Sequence, residues 1–199
     1  MNSIEDKIPK TGRIGRFAKI IKKELPKELF LNLLMDSENY SSFSPSKKAE
    51  WWKNTIIRME KELGTEKTKE IMKVCGSKCC GQGHRRKVRK KFEESSSIEE
   101  FLKKISAKDV TYKLINKNTI LAEYQRCFCG LVKATITAFL NMTYCQCSAE
   151  FNRQYFSSAF NKPVKVELIK SVISGNDICK FTFISKLRDI SPLKICGIF

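Results

Sequence analysis

Two C-x-C pairs, Cys127-Phe128-Cys129 and Cys145-Gln146-Cys147, and a third group at Cys75, Cys79 and Cys80 together hold seven of the nine cysteines. Thiolates two to four residues apart allow one short loop to deliver two sulfurs to the same ion, which is what a tetrahedral metal site needs. Four such thiolates suit zinc, with an iron–sulfur cluster as the alternative. The competing reading is that cysteine is among the most buried residue types and packs as a small hydrophobe. Cys127 and Cys129, placed at a strand end, point to one face, and Gly130 lets the chain bend behind them. Cys145 and Cys147 precede an expected helix N-terminus, where the dipole favours thiolate over thiol. The two pairs are therefore expected to converge. Cys75 and Cys79, with a C-x3-C spacing, make half of a zinc site that one of the C-x-C pairs would complete.

Other chemistry is less well supported by spacing. Cys145 or Cys147 is a candidate thiolate nucleophile, with Glu123, Glu150 or Glu167 as acid or base, but no motif fixes their roles. His84 is the only histidine, which excludes multi-histidine metal sites. It leaves one Cys-His pairing to weigh against an exposed loop histidine. A Ser-His-Asp order, a phosphate loop and a dinucleotide fingerprint are all absent. Cys179 alternates with Phe181 and Phe183, the pattern of a strand core. The terminal Cys196-Gly197-Ile198-Phe199 is read as a chance match to a prenylation box.

The elements that must position these residues follow from periodicity. Ile14, Phe17, Ala18, Ile21 and Leu25 keep helical spacing until Pro26, and Leu29, Phe30, Leu33 and Leu34 resume it. Ser44 is expected to cap a helix with Pro45 at its first position, carrying Trp51, Trp52, Ile56 and Met59 and ending at Gly64. A further helix from Glu66 delivers Cys75 at its end. Ser97-Ile98-Glu99-Glu100 matches a capping box for a short helix with Phe101, Leu102 and Ile105. Beyond it the period becomes two. Val110, Tyr112 and Leu114 alternate, Asn116-Lys117-Asn118 turns, and Ile120, Ala122 and Tyr124 alternate again towards Cys127. A strand is expected over Ala134 to Leu140. Ser148 is expected to cap a helix with Phe151, Tyr155, Ala159 and Phe160 on one side, closed by Asn161 and Pro163. Two strands end the pattern, with Val164, Val166 and Leu168 in the first, a Gly175-Asn176 turn, and Cys179, Phe181 and Phe183 in the second.

Helices followed by grouped strands imply an α+β fold, with N-terminal helices packed against a mainly antiparallel sheet and one long helix. The expected organisation is a helical region over 1–104 and a cysteine-rich α+β region over 105–199, with one compact unit beginning near residue 60. Hydrophobic residues make up 42% of the 199-residue chain, enough for a core and too many for a disordered chain.

A net charge of +17 and a pI near 9.6 attract polyanions through a field that salt screens. Arg85 to Lys91 contribute six basic residues in seven. Without interleaved aromatics that run reads as a solvated helix face, so nucleic acid enters only as a nonspecific partner. No run reaches the roughly 20 apolar residues of a membrane span, and Met1 to Asp6 are polar and acidic, unlike a secretory signal. A cytosolic protein with no membrane association is expected, and in a reducing compartment the cysteines read as ligands or thiols rather than disulfides.

Tyr144-Cys145-Gln146-Cys147-Ser148, Phe156 to Phe160, Lys162-Pro163-Val164-Lys165-Val166-Glu167-Leu168, and Gly175 followed by Cys179-Lys180-Phe181 together carry a resemblance. Cys75-Gly76 with Cys79, and Cys127 with Cys129, extend it over roughly residues 60 to 185. The chain resembles a group of uncharacterised prokaryotic cysteine-rich proteins. That group is similar to the aminothiazoline-carboxylate hydrolase family and, more distantly, to the 4-vinyl-reductase-type small-molecule-binding domain. The resemblance implies a ligand or metal pocket beside the Gly175 turn and Cys179. In the aromatic-sensing relatives cysteines and a glutamate bind zinc; here Ser171 stands where a ligand cysteine is expected and Leu168 where the glutamate is, with Glu167 adjacent. The C-x-C pairs would have to replace those ligands.

The function expected from all of this is a small-molecule- or metal-binding protein, a sensor or carrier, with Cys75, Cys79, Cys127, Cys129, Cys145, Cys147 and Cys179 as metal ligands. The alternatives are a hydrolase of a small heterocyclic or amide substrate, acting through a cysteine nucleophile or metal-activated water, and a nonspecific nucleic-acid-binding protein.

Overall fold

Proline, glycine and hydroxyl caps divide the first hundred residues into helices where the sequence places them. The computed structural model describes residues 4–130 and 142–185. The strand expected over Ala134 to Leu140 and the Cys196 tetrapeptide lie outside the described residues. The helices are α1 (Ile4–Lys7), α2 (Gly12–Glu24), α3 (Lys27–Leu33), α4 (Pro45–Leu63), α5 (Thr65–Ser77), α6 (Gln82–Glu93), α7 (Ile98–Ile105) and α8 (Gln146–Phe160). The strands are β1 (Val110–Asn116), β2 (Thr119–Tyr124), β3 (Lys165–Lys170) and β4 (Cys179–Ile184). Helices segregated from an antiparallel sheet make the fold α+β.

Local chemistry sets the helix ends. The Ser44 hydroxyl accepts from the Lys47 N–H at 3.2 Å, with Pro45 in the first turn, and Gly64 ends α4 at φ 77, a conformation that costs glycine little. At α7 the Ser97 hydroxyl accepts from the Glu100 N–H at 3.1 Å. The return bond of this capping box arrives one residue early, from the Ser96 N–H to the Glu100 carboxylate at 2.6 Å. α8 starts two residues before the expected Ser148 cap, with Cys145 in the cap position and no side-chain cap bond. Its buried stripe is Ala149, Asn152, Phe156, Ala159 and Phe160, so Phe151 and Tyr155 stand at the edge of that face, half-buried rather than within it. Asn161, at φ 52, closes the helix as expected.

The sheet order is β1-β2-β4-β3, all antiparallel. Alternation places Ile120 and Ala122 of β2 and Cys179, Phe181 and Phe183 of β4 in the core. Phe156 of α8 lies on them, its ring centroid 4.3 Å from that of Phe183. Truncating so buried a ring costs about 3–5 kcal/mol. Phe92 of α6 and Phe101 of α7 complete this core. A second core joins α2, α3, α4 and α5 through Phe17, Ile21, Leu33, Trp52, Met59 and Ile71. Tyr144, Cys145 and Ile173 also belong to that helical core, and half-buried Leu168 packs against both. The cysteines lie along the seam between them.

No helix of the described residues is long and apolar enough to cross a membrane.

Candidate metal centre

Four segments deliver the cysteines to that seam. The last turn of α5 carries Cys75 and the turn beyond it Cys79; the segment after β2 carries Cys127 and Cys129; α8 begins with Cys145 and Cys147; and β4 begins with Cys179. Two packing facts bring them together. In the β2–β4 ladder Tyr124 is opposite Cys179, so the chain leaving β2 starts beside Cys179 and reaches Cys127 three residues later. α5 crosses α8 at Gly76, where an added Cβ would lie 2.3 Å from the Cys147 carbonyl oxygen. Only glycine permits that approach.

β2 ends at Tyr124, so Cys127 and Cys129 are not in strand conformation and do not share a face. Each C-x-C pair divides between two groups. In the first group Cys75 lies within electrostatic reach of Cys147, Cys79, Arg16 and Arg13, and Cys147 within reach of Arg13, Cys129 and Cys79. Arg13 Nη1 donates to Cys129 Sγ at 3.2 Å and also to the Tyr144 hydroxyl. That hydroxyl stands 3.6 Å from Cys129 Sγ. Arg16 Nη2 approaches Cys79 Sγ at 3.9 Å, and the Cys79 thiol donates to the Cys75 carbonyl at 3.5 Å.

The second group forms around Ser171. Its Oγ is 3.0 Å from Cys145 Sγ and 4.0 Å from Cys179 Sγ. The Val172 N–H donates to Cys179 Sγ at 3.4 Å, and Cys127 stands within interacting reach of Cys179. Cys145 is within electrostatic reach of Cys147, Cys179 and Cys129, which links the groups. All seven cysteines expected as ligands thus meet in one region. Among the described residues, no three His, Cys, Asp or Glu side chains already stand around a common ion position. The eight described cysteines carry thiols rather than disulfides.

Burial dominates the acidity of Cys75, Cys145 and Cys147. It pushes Cys75 and Cys145 up to about 12 and Cys147 to about 11. The helix dipole expected to favour thiolates at Cys145 and Cys147 is therefore outweighed by desolvation. Cys179 is the exception. The interaction with Cys127, with the hydrogen bond from the Val172 N–H and the contact with Ser171, lowers it against the opposing effect of burial, and the same interaction raises Cys127. For Arg13, burial acts to lower the value, but Tyr144 and Cys129 together prevail and raise it.

The other candidates have different partners. Glu123 pairs with Lys180 at 3.2 Å, Glu150 with Arg153 at 2.7 Å, and Glu167 with Lys165 at 2.6 Å. The three carboxylates considered for acid–base work are thus bound to surface cations. His84 lies in the first turn of α6 rather than in a loop, exposed and edge-on to Phe151 at 5.6 Å. Cys80 is buried, its carbonyl accepting from Arg85 Nε at 2.9 Å. Two surface grooves are lined by no cysteine, one of about 770 Å³ by Phe43, Lys47 and Trp51 among others, the other between α6 and α8.

Arg13, Arg16, Tyr144 and Ser171 had no role in the residue-level reading of the site. Arg13 and Arg16 are two among 38 basic residues, and only their spacing of three, beside the buried face of α2, hinted at a shared task.

The chain matches the Family of unknown function (DUF6144) over residues 17–190. It belongs to that family, and the matched region contains all seven clustered cysteines. No curated protein and no solved structure matches it.

Proposed function

We propose that this protein is a thiolate metal-binding domain in which Cys75, Cys79, Cys129 and Cys147 hold a zinc ion. The observation that carries the reading is the assembly of these four thiols beside Arg13 and Arg16 from three separate segments. The donor set fits the ion: four thiolates on Zn²⁺ leave a net charge of about −2, which the two neighbouring arginines offset. Binding would deprotonate Cys75 and Cys147, which burial otherwise keeps neutral. Among the described residues these thiols do not surround a common ion position, so closing the set on an ion requires their side chains to move. A four-thiolate zinc is structural, and here it would tie the helical core to the sheet core.

A second reading rests on the group around Ser171. Cys127, Cys145 and Cys179 are three thiols with one hydroxyl, and three protein ligands on zinc leave a position for water or substrate. Ser171 occupies the position where the resemblance places a ligand cysteine, and its contacts with Cys145 and Cys179 support a pocket of that kind, for a small-molecule sensor or a hydrolase using metal-activated water.

Elemental analysis of the full chain purified with and without oxygen tests both readings, followed by cobalt substitution, whose absorption counts thiolate ligands. About one ion per chain with a four-thiolate spectrum supports the first reading, and a three-thiolate spectrum the second. Visible absorption with bound iron after anaerobic purification would replace zinc by an iron–sulfur cluster. Metal-free protein from both preparations would overturn the metal reading.

A further inference from the structure

On α6, Gln82, Arg85, Arg86 and Arg89 recur at helical spacing and line one side of a surface groove of about 550 Å³. The opposite side is α8, with Arg153, Gln154 and Ser157. No acidic residue lines it. Arg85 spans the groove, donating from Nε to the Cys80 carbonyl at 2.9 Å and from Nη2 to Gln154. Arg89 is held by Glu93 at 2.8 Å and Arg153 by Glu150 at 2.7 Å, carboxylates that stand outside the lining. The guanidinium forks are thus held in place before any ligand arrives, which reduces the entropy lost on binding.

We propose that this groove binds the phosphate backbone of single-stranded nucleic acid without reading its bases. The α6 row runs from residue 82 to 89, about 10 Å of helix, a length that successive backbone phosphates of one strand can follow. Two packed helices about 8–10 Å apart leave width between their rows for one strand. The donors match phosphate, since arginine forks bind it bidentately and Gln and Ser add neutral hydrogen bonds. No aromatic ring lines the groove, so stacking and base discrimination are absent. The open shape and the further cations of α6, Lys87, Lys90 and Lys91, favour an extended polyanion over a compact phosphorylated metabolite.

The test is fluorescence anisotropy of the full chain with labelled single-stranded RNA of about ten nucleotides, at about 50 and about 200 mM salt. The variant Arg86→Gln/Arg153→Gln removes one cation from each wall. Lys19→Gln/Lys23→Gln on α2 removes the same charge elsewhere, and unchanged melting curves show that both fold. The groove variant is expected to weaken binding about tenfold and reduce the slope of log K against log salt by about 1.4, while the α2 variant changes affinity less than about twofold. Equal losses in both variants would reduce the effect to the overall field and overturn the proposal. Displacement of RNA by pyrophosphate at equal phosphate concentration would overturn it in favour of a small-anion site, and tighter binding of duplex DNA would overturn the single-strand assignment.

Discussion

Gly76 lies flush against the backbone of Cys147. A Cβ at Gly76 would come within 2.7 Å of the Cys147 Cα and 2.3 Å of its carbonyl oxygen, so the absence of a side chain on α5 sets how closely the first group of thiols can assemble. Alanine in a helix interior ordinarily gains about 0.5–1 kcal/mol over glycine. At position 76 the sign should reverse. Gly76→Ala is expected to destabilise by about 1–3 kcal/mol in chemical denaturation and to lower metal content. Gly83→Ala in α6, with open space around its Cβ, should be neutral or stabilising. A stable Gly76→Ala protein would show that α5 and α8 can separate without consequence.

Removing one thiol should separate ligand from bystander. Cys147→Ser is expected to lose most of the bound metal, whereas Cys80→Ser, a buried thiol held beside Arg85 and near only one of the four proposed ligands, Cys79, should retain it. Metal-to-protein ratios from elemental analysis provide the comparison, and equal ratios would exclude Cys147 as a ligand.

Arg13 joins Cys129 to Tyr144 through two donors. Loss of such a partner to a metal ligand typically costs 10–100-fold in affinity, so Arg13→Gln should weaken zinc binding by about that factor in competition with a chromophoric chelator. Arg13→Lys keeps the charge but carries it on a differently shaped head that must reach the position of Nη1, and should fall between the two. If Arg13→Gln binds as tightly as the parent, the arginine is packing only.

Glu100 tests the capping box at α7. Hydrogen bonds from Lys104 and from the Ser96 hydroxyl and backbone hold its carboxyl at about 2, below the ordinary value of about 4.3. A depressed folded-state value means that its contribution is complete above the ordinary value and is lost as the pH falls towards the folded one. Glu100→Gln should therefore melt below the parent at pH 7, with the gap closing between about pH 4.5 and about pH 2. A gap independent of pH would assign the effect to something other than the carboxylate charge.

How much of this was legible follows from where each contact is made. The α2 face, the Ser44 cap, the β1–β2 hairpin and the Cys179-Phe181-Phe183 alternation are set by neighbours a few residues away, and periodicity exposes them. The start of α8 differs from the expectation because Ser148 is a good cap by type, whereas buried Cys145 takes the cap position and the helix begins three residues earlier. The convergence of the cysteines was readable from their clustering, but the division of each C-x-C pair was not, since it depends on β2 ending at Tyr124 and on Gly76 meeting Cys147. Arg13 reaches Tyr144 across 131 positions, and no local pattern reports such a contact.

That same reach orders events in time. The first group draws on Arg13 in α2, Cys75 at the end of α5, Cys129 after β2 and Cys147 in α8, so during synthesis its early members must wait until most of the chain has emerged. Contacts this distant in sequence make folding slow, because loop closure must precede their reward. Until then the thiols are accessible to oxidants and to adventitious ions, and the route to the native protein is most vulnerable where these segments have yet to meet.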